Sequence, residues 1–179
     1  DRHDPLSTLA RKIAKSVPAF KGLVEQERTT IPNRSVKLFT LSSIYEGTSL
    51  LLGKSKGDLV EPAEESFAVD FWTAVSENIA DWGRAQSKEI STAELRQNYI
   101  HAHGLTIQAL GYVGNAARAQ LGRHWRTPML KLRNIDWHRS NASSWEGRAT
   151  IGGRLSKTGV NVKLAAAFIK EQIGLKVSD

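Results

Sequence analysis

The sequence predicts a mainly α fold: about five to seven helices, a long Gly/Arg-rich loop before the last of them, and one short strand near the N-terminus. Three observations carry this expectation. Apolar residues recur at helical spacing in most segments. Proline and glycine punctuate the segment boundaries. No segment alternates apolar and polar residues cleanly enough for a sheet face, and no internal repeat is present.

Asp4 and Pro5 read as N-cap and first residue of a helix, with Leu6, Leu9, Ile13 and Val17 on its apolar face and Pro18 as its stop. Residues 20–32 read as extended, a strand or an ordered connector, anchored by Phe20, Val24 and Ile31. A second helix places Leu38, Leu41, Tyr45, Thr48 and Leu52 on one face and ends at Gly53. Pro62 opens a third, whose seam is Ala68, Trp72, Val75, Ile79 and Trp82. Ser91 and Glu94 form a capping-box signature, and a helical pattern follows through Leu95, Ile100, Ile107, Leu110, Val113 and Leu121. Gly104, Gly111 and Gly114 interrupt it, each costing about 1 kcal/mol relative to alanine. They imply a break near Gly104 or close packing against another helix. A short helix is expected over Pro128 to Ile135, the long loop over Asp136 to Gly159, and a closing helix over 160–173.

A chain of 179 residues, 40% apolar and 24% charged, can bury a core and is neither disordered nor membrane-spanning. Its longest apolar run, Leu164 to Ile169, falls far short of the roughly 18–20 residues that a span requires. The absence of cysteine excludes a disulfide scaffold, a thiolate zinc site and a cysteine nucleophile. No signal segment opens the chain, so a cytoplasmic location is expected and the triplets at Asn33 and Asn141 are not read as glycosylation sites. The sole methionine is Met129, and a helix signal follows Asp1 almost at once. That start reads as an interior cut, and 1–179 as a single helical domain from a longer protein.

The net charge of +7 is unevenly placed. Residues 1–56 carry +5 and residues 57–94 carry −7. Residues 115–163 hold ten Lys/Arg against Asp136 and Glu146, a net +8, and seven of the ten are arginine. Arginine presents a planar donor fork suited to phosphate and guanine edges. Trp125, Trp137 and Trp145 interleave with these cations as core anchors or base-stacking platforms. A polyanion partner, foremost nucleic acid, is the expectation.

The best local constellation is the loop from Ile151 to Asn161. Its adjacent glycines let backbone amides approach an anion, with Ser156, Lys157 and Thr158 as further donors at the start of a helix. A DNA phosphate suits it better than a nucleotide, because Gly153 stands where a phosphate-binding loop of the Walker type needs lysine. His101 and His103 lie two apart, which faces them away from each other on a helix, so core or hydrogen-bonding roles are expected rather than a metal site. Asp136 and Glu146 are expected to hold neighbouring guanidinium groups in place rather than to do acid–base work.

Several blocks resemble one known family. Asn33 to Tyr45 (NRSVKLFTLSSIY), Tyr99 to Gly104 (YIHAHG), Ile135 to Asn141 (IDWHRSN), Trp145 to Arg148 (WEGR) and Gly152 to Lys157 (GGRLSK) resemble, in order along the chain, the DNA sulfur modification protein DndB family, also called the DGQHR-domain family. The resemblance implies a bacterial protein of a phosphorothioation cluster, in which sulfur replaces a non-bridging phosphate oxygen. It also implies a DNA-binding regulator rather than the sulfur-transfer enzyme. The Asp-Gly-Gln-His-Arg motif that names the family belongs to an N-terminal domain and does not occur here. The chain therefore reads as the C-terminal part of a family member.

The combined expectation is a transcriptional repressor of its own gene cluster that binds duplex DNA through Arg139, Arg148, Arg154 and Lys157, backed by Arg133 and Lys163. No cofactor or metal is expected, no membrane, and homo-oligomerisation stays open. Two other readings stand beside it. One is an interaction module that docks other DNA-modification proteins through the acidic 57–94 stretch. The other is an enzyme whose active site lies mainly in an N-terminal domain and is completed by His103, Asp136 or Glu146.

Overall fold

The computed structural model describes residues 3–156 and 158–177. It is mainly helical, as the sequence predicts. Helix α1 (Pro5–Ser16) begins where expected, with the Asp4 carboxylate accepting from the Leu6 amide at 3.2 Å. That carboxylate also receives the Tyr45 hydroxyl at 2.6 Å and the Gly57 amide at 3.2 Å, so one buried acid joins α1, the second helix and the following loop. The Tyr45 bond, above all, holds the Asp4 carboxyl below the usual carboxylate range, and burial pushes the Tyr45 phenol up to about 12.

The extended region contracts to β1 (Val24–Glu25), paired in parallel with β2 (Phe39–Thr40). Between them a loop is gathered by Arg96, whose guanidinium donates to the carbonyls of Asn33, Ser35 and Lys37. Helix α2 (Leu41–Leu52) starts on a Thr40 cap and stops at Gly53 in the left-handed conformation. Leu38 precedes this helix rather than sharing its face.

The seam expected from Ala68 to Trp82 is split. Helix α3 (Pro62–Asn78) ends before Ile79, and α4 (Ala80–Gln86) begins after it. Ser76 and Asn78 turn their side chains back onto the Trp72 and Ala74 carbonyls, which competes with helix continuation. Helix α5 (Thr92–Asn98) starts on the Ser91 cap, and the pattern then breaks through Ile100–Ala102 before α6 (Gly104–Leu121). Both readings of the glycines hold. Gly104 marks the break, while Gly111 faces the Gly47 carbonyl of α2 and Gly114 faces Leu51 and Phe71.

Pro128 to Ile135 is not one helix but a short α7 (Arg126–Met129) and a 3-10 turn over Leu130–Asn134. The long loop contains α8 (Ala142–Trp145) and an antiparallel hairpin, β3 (Thr150–Ile151) with β4 (Arg154–Leu155). Helix α9 (Gly159–Ile173) closes the fold and ends at Gly174 in the left-handed conformation.

Helix α6 lies at the centre, packed on α2 and on α9. The buried side chains form one cluster reaching from Leu9 to Leu175, with Phe20, Phe39, Phe71, Trp72 and Trp82 at its heart. Burying each such ring contributes about 2–3 kcal/mol. The indole N–H groups are not stranded: Trp72 donates to Thr48 Oγ1 at 3.1 Å and Trp82 to the His101 carbonyl at 3.2 Å. Among the described residues no helix is long and apolar enough to cross a membrane.

Candidate nucleic-acid interface

The basic loop is held by its ends. The Ile100 amide donates to the Trp137 carbonyl and the Arg139 amide to the Asn98 carbonyl, both at 2.8 Å, so residues 137–139 lie along the link between α5 and α6. Trp137 stacks on Trp145 with centroids 5.6 Å apart, and Trp145 meets Phe168 of α9 edge-on at 5.0 Å. Trp125, Trp137 and Trp145 are all buried. Trp137 and Trp145 are the loop's own core, Trp125 packs on Phe67 and Phe71 of α3, and none of the three is open to a base.

The acids of the loop do something other than expected. Neither Asp136 nor Glu146 pairs with an arginine among the described residues. Asp136 accepts from the His138 backbone amide at 3.0 Å, the His138 ring at 2.7 Å and the Asn141 side-chain amide at 3.0 Å. Those bonds, the His138 amide foremost, lower its carboxyl below the usual range. Glu146 accepts the Thr150 hydroxyl at 2.8 Å, the Gly153 amide at 3.1 Å and the Gly152 amide. These donors, the hydroxyl foremost, depress its carboxyl as well.

The Gly-Gly amides therefore already have an anion, supplied by the chain itself. Gly152 and Gly153 take φ of 59° and 76°, the left-handed pair that a tight two-residue hairpin turn uses. The N-terminus of α9 is likewise filled from within. Thr158 accepts the Asn161 amide at 3.3 Å, and Asn161 donates its side-chain amide to the Arg148 carbonyl at 2.6 Å.

The expected contact residues divide. Arg139 donates from Nε to the Gly153 carbonyl at 3.2 Å, and Arg148 from Nη1 to the Ser144 carbonyl at 2.6 Å. The Arg148 guanidinium also lies 4.6 Å from the centre of the Phe168 ring. Arg154 is exposed on β4, without a side-chain hydrogen bond or ion pair among the described residues. The loop thus brings Arg139 and Arg154 to the hairpin turn, while Arg148 turns back onto α8 and α9. Arg133 instead donates to Asn78 of α3 at 2.7 Å. Lys163 is exposed on α9, beside an open groove of about 580 Å³ lined also by Tyr45, Gln108, Tyr112 and Val160. Lys157 lies outside the described residues.

The histidines diverge, as their spacing implies. His101 is fully buried, bonded through Nε2 to Asp81 at 2.8 Å and stacked on Tyr99, while Nδ1 has no partner. Burial pushes its pKa down despite the Asp81 carboxylate. His103 donates to the Arg96 carbonyl at 2.7 Å, and burial brings its pKa down to about 4. Two residues shape the hairpin in roles that the sequence did not assign them: Glu146 anchors its turn instead of a guanidinium group, and Ile151 stands exposed beside its tip. The adjacent glycines flagged the turn, but which acid would reach it depended on the backbone path.

The family model described as DndB, DNA-sulfur modification-associated, matches residues 1–176. The chain belongs to the DndB family. Membership ties it to the DNA sulfur modification system. No curated protein and no solved structure matches the chain.

Proposed function

We propose that this DndB-family chain is a duplex-DNA-binding regulatory protein of a phosphorothioation system, acting as a repressor of its own gene cluster. One observation carries the reading. Of the nine described cations in the +8 stretch, only Arg126 has an acidic partner, Asp70 at 3.2 Å, because Asp136 and Glu146 are engaged by their own loop. An un-neutralised concentration of arginine on a protein tied to DNA modification suits a phosphate backbone. Arg139, Arg154 and Lys163 keep donors free for it; Arg133 and Arg148 add charge from more fixed positions. The enzyme reading draws less support, since His103, Asp136 and Glu146 are each committed to a backbone carbonyl or amide.

Fluorescence anisotropy with a duplex from the cluster's promoter and an unrelated duplex tests this over a range of salt. With three to five phosphate contacts, log affinity should fall with log salt at a slope of roughly −2.7 to −4.5. Arg154→Ala and Lys163→Ala should each reduce that slope by about one. No binding at about 50 mM salt, or a slope near zero, would overturn DNA binding. Equal affinity for both duplexes would overturn the repressor role.

A further inference from the structure

We infer that the β3–β4 hairpin tip enters the minor groove of duplex DNA, with Arg154 along the groove and Ile151 wedged against a base step, so that bound DNA is kinked. The inference rests on the DNA-binding reading above and adds how the duplex is engaged.

Four features of the tip point this way. The cross-strand pair Thr150 and Leu155 turns inward, Thr150 being buried, while the pair Ile151 and Arg154 turns outward. Ile151 is 56% exposed, a branched apolar side chain where an idle turn would carry polar residues. Directly across from it, the Arg154 guanidinium has no internal bond among the described residues. Between them stand two glycines with no side chain to hold the backbone away from a narrow groove.

The tip is also stiff. Glu146 binds both turn amides and Thr150, Arg139 binds the Gly153 carbonyl, and the Gly147 amide donates to the Thr150 carbonyl at 2.8 Å. A stiff tip can press on a base stack without first being ordered. Minor-groove proteins combine such apolar wedges with arginine, unstacking a step and bending the duplex by about 20–90°. The minor groove suits the pair better than the major groove, where Ile151 could meet little besides a thymine methyl group.

The test is energy transfer between dyes at the two ends of a duplex of about 30 base pairs with central TA steps, which unstack most readily. The whole chain should shorten the end-to-end distance. Ile151→Ser should abolish the shortening while leaving the salt slope of binding unchanged, and Ile151→Leu should retain it. Arg154→Ala should weaken binding about tenfold and lower the slope by about one. Both side chains are exposed, so these variants keep the fold. Duplex bound straight by the unsubstituted chain, or bent equally by Ile151→Ser, overturns the wedge and leaves DNA binding standing. Absence of any salt-dependent binding overturns both.

Discussion

Two arginines six residues apart carry the same formal charge in very different settings. The guanidinium of Arg148 closes the end of α8 through the Ser144 carbonyl and covers the Phe168 ring. That of Arg154 does neither. A charge-assisted bond to a carbonyl and a cation–ring contact each contribute about 1 kcal/mol in a half-buried site. Arg148→Ala is therefore expected to destabilise the protein by about 1–2 kcal/mol, and Arg154→Ala by less than about 0.5 kcal/mol. Urea denaturation of the two variants measures the difference. Equal losses would mean that the Phe168 and Ser144 contacts contribute nothing. The pair also separates two causes of weak DNA binding, since only Arg148→Ala would act partly through the fold.

Among the elements, the contact between α2 and α6 depends on glycine. A methyl group on Gly111 would meet the Gly47 carbonyl, a backbone atom that cannot swing aside. Gly83 in α4 has open space around its Cβ position. Gly111→Ala should cost about 2–3 kcal/mol by forcing the helices apart, whereas Gly83→Ala should stabilise by about 0.5–1 kcal/mol through helix propensity. Thermal melts of both variants read out opposite signs, and a Gly111→Ala melt at or above the parent value would refute the close approach. This contrast shows what was legible in advance. The caps at Asp4 and Ser91 and the stop at Gly53 use groups within a few residues, so the sequence displays them, whereas the Thr40 cap is hidden when Leu38 is read as part of the helix. The glycines of α6 announced either a break or a close approach, but the neighbour that decides between these comes from α2. The split at Ile79 depended on side chains bonding back to carbonyls, and α8 on a loop pinned by α5. At the site, Arg148 turns onto α8 and Phe168, and only the place of Arg154 beside the glycine turn followed from nearness along the chain. The role of Glu146 did not, because its partners are amides whose direction only the folded turn defines.

Across the whole molecule the resolved shifts of the acids and histidines share one direction. The carboxyls of Asp4, Asp81, Asp136 and Glu146 are all held below their usual range, Asp81 chiefly by its bond to His101. The imidazoles of His101 and His103 are lowered by burial. A depressed carboxyl stabilises the fold above its ordinary range and ceases to do so as pH falls through its folded value. A depressed imidazole acts in the same sense: between the two values the unfolded chain takes a proton that the native state refuses, so stability drains away as pH falls. For His103 that window runs from an ordinary value near 6.5 down to about 4. Its surroundings deepen the effect, because Arg139 and Arg96 add positive charge nearby. This one residue should account for about 3 kcal/mol of lost stability by the lower end of the window. His103→Gln keeps a donor for the Arg96 carbonyl but does not titrate. Its urea midpoint should therefore change less than the parent's between neutral and mildly acid pH, while the two proteins differ little at neutral pH. Parallel midpoints across the whole range would show that His103 titrates freely in the folded chain, and would move the acid sensitivity to the carboxylates alone.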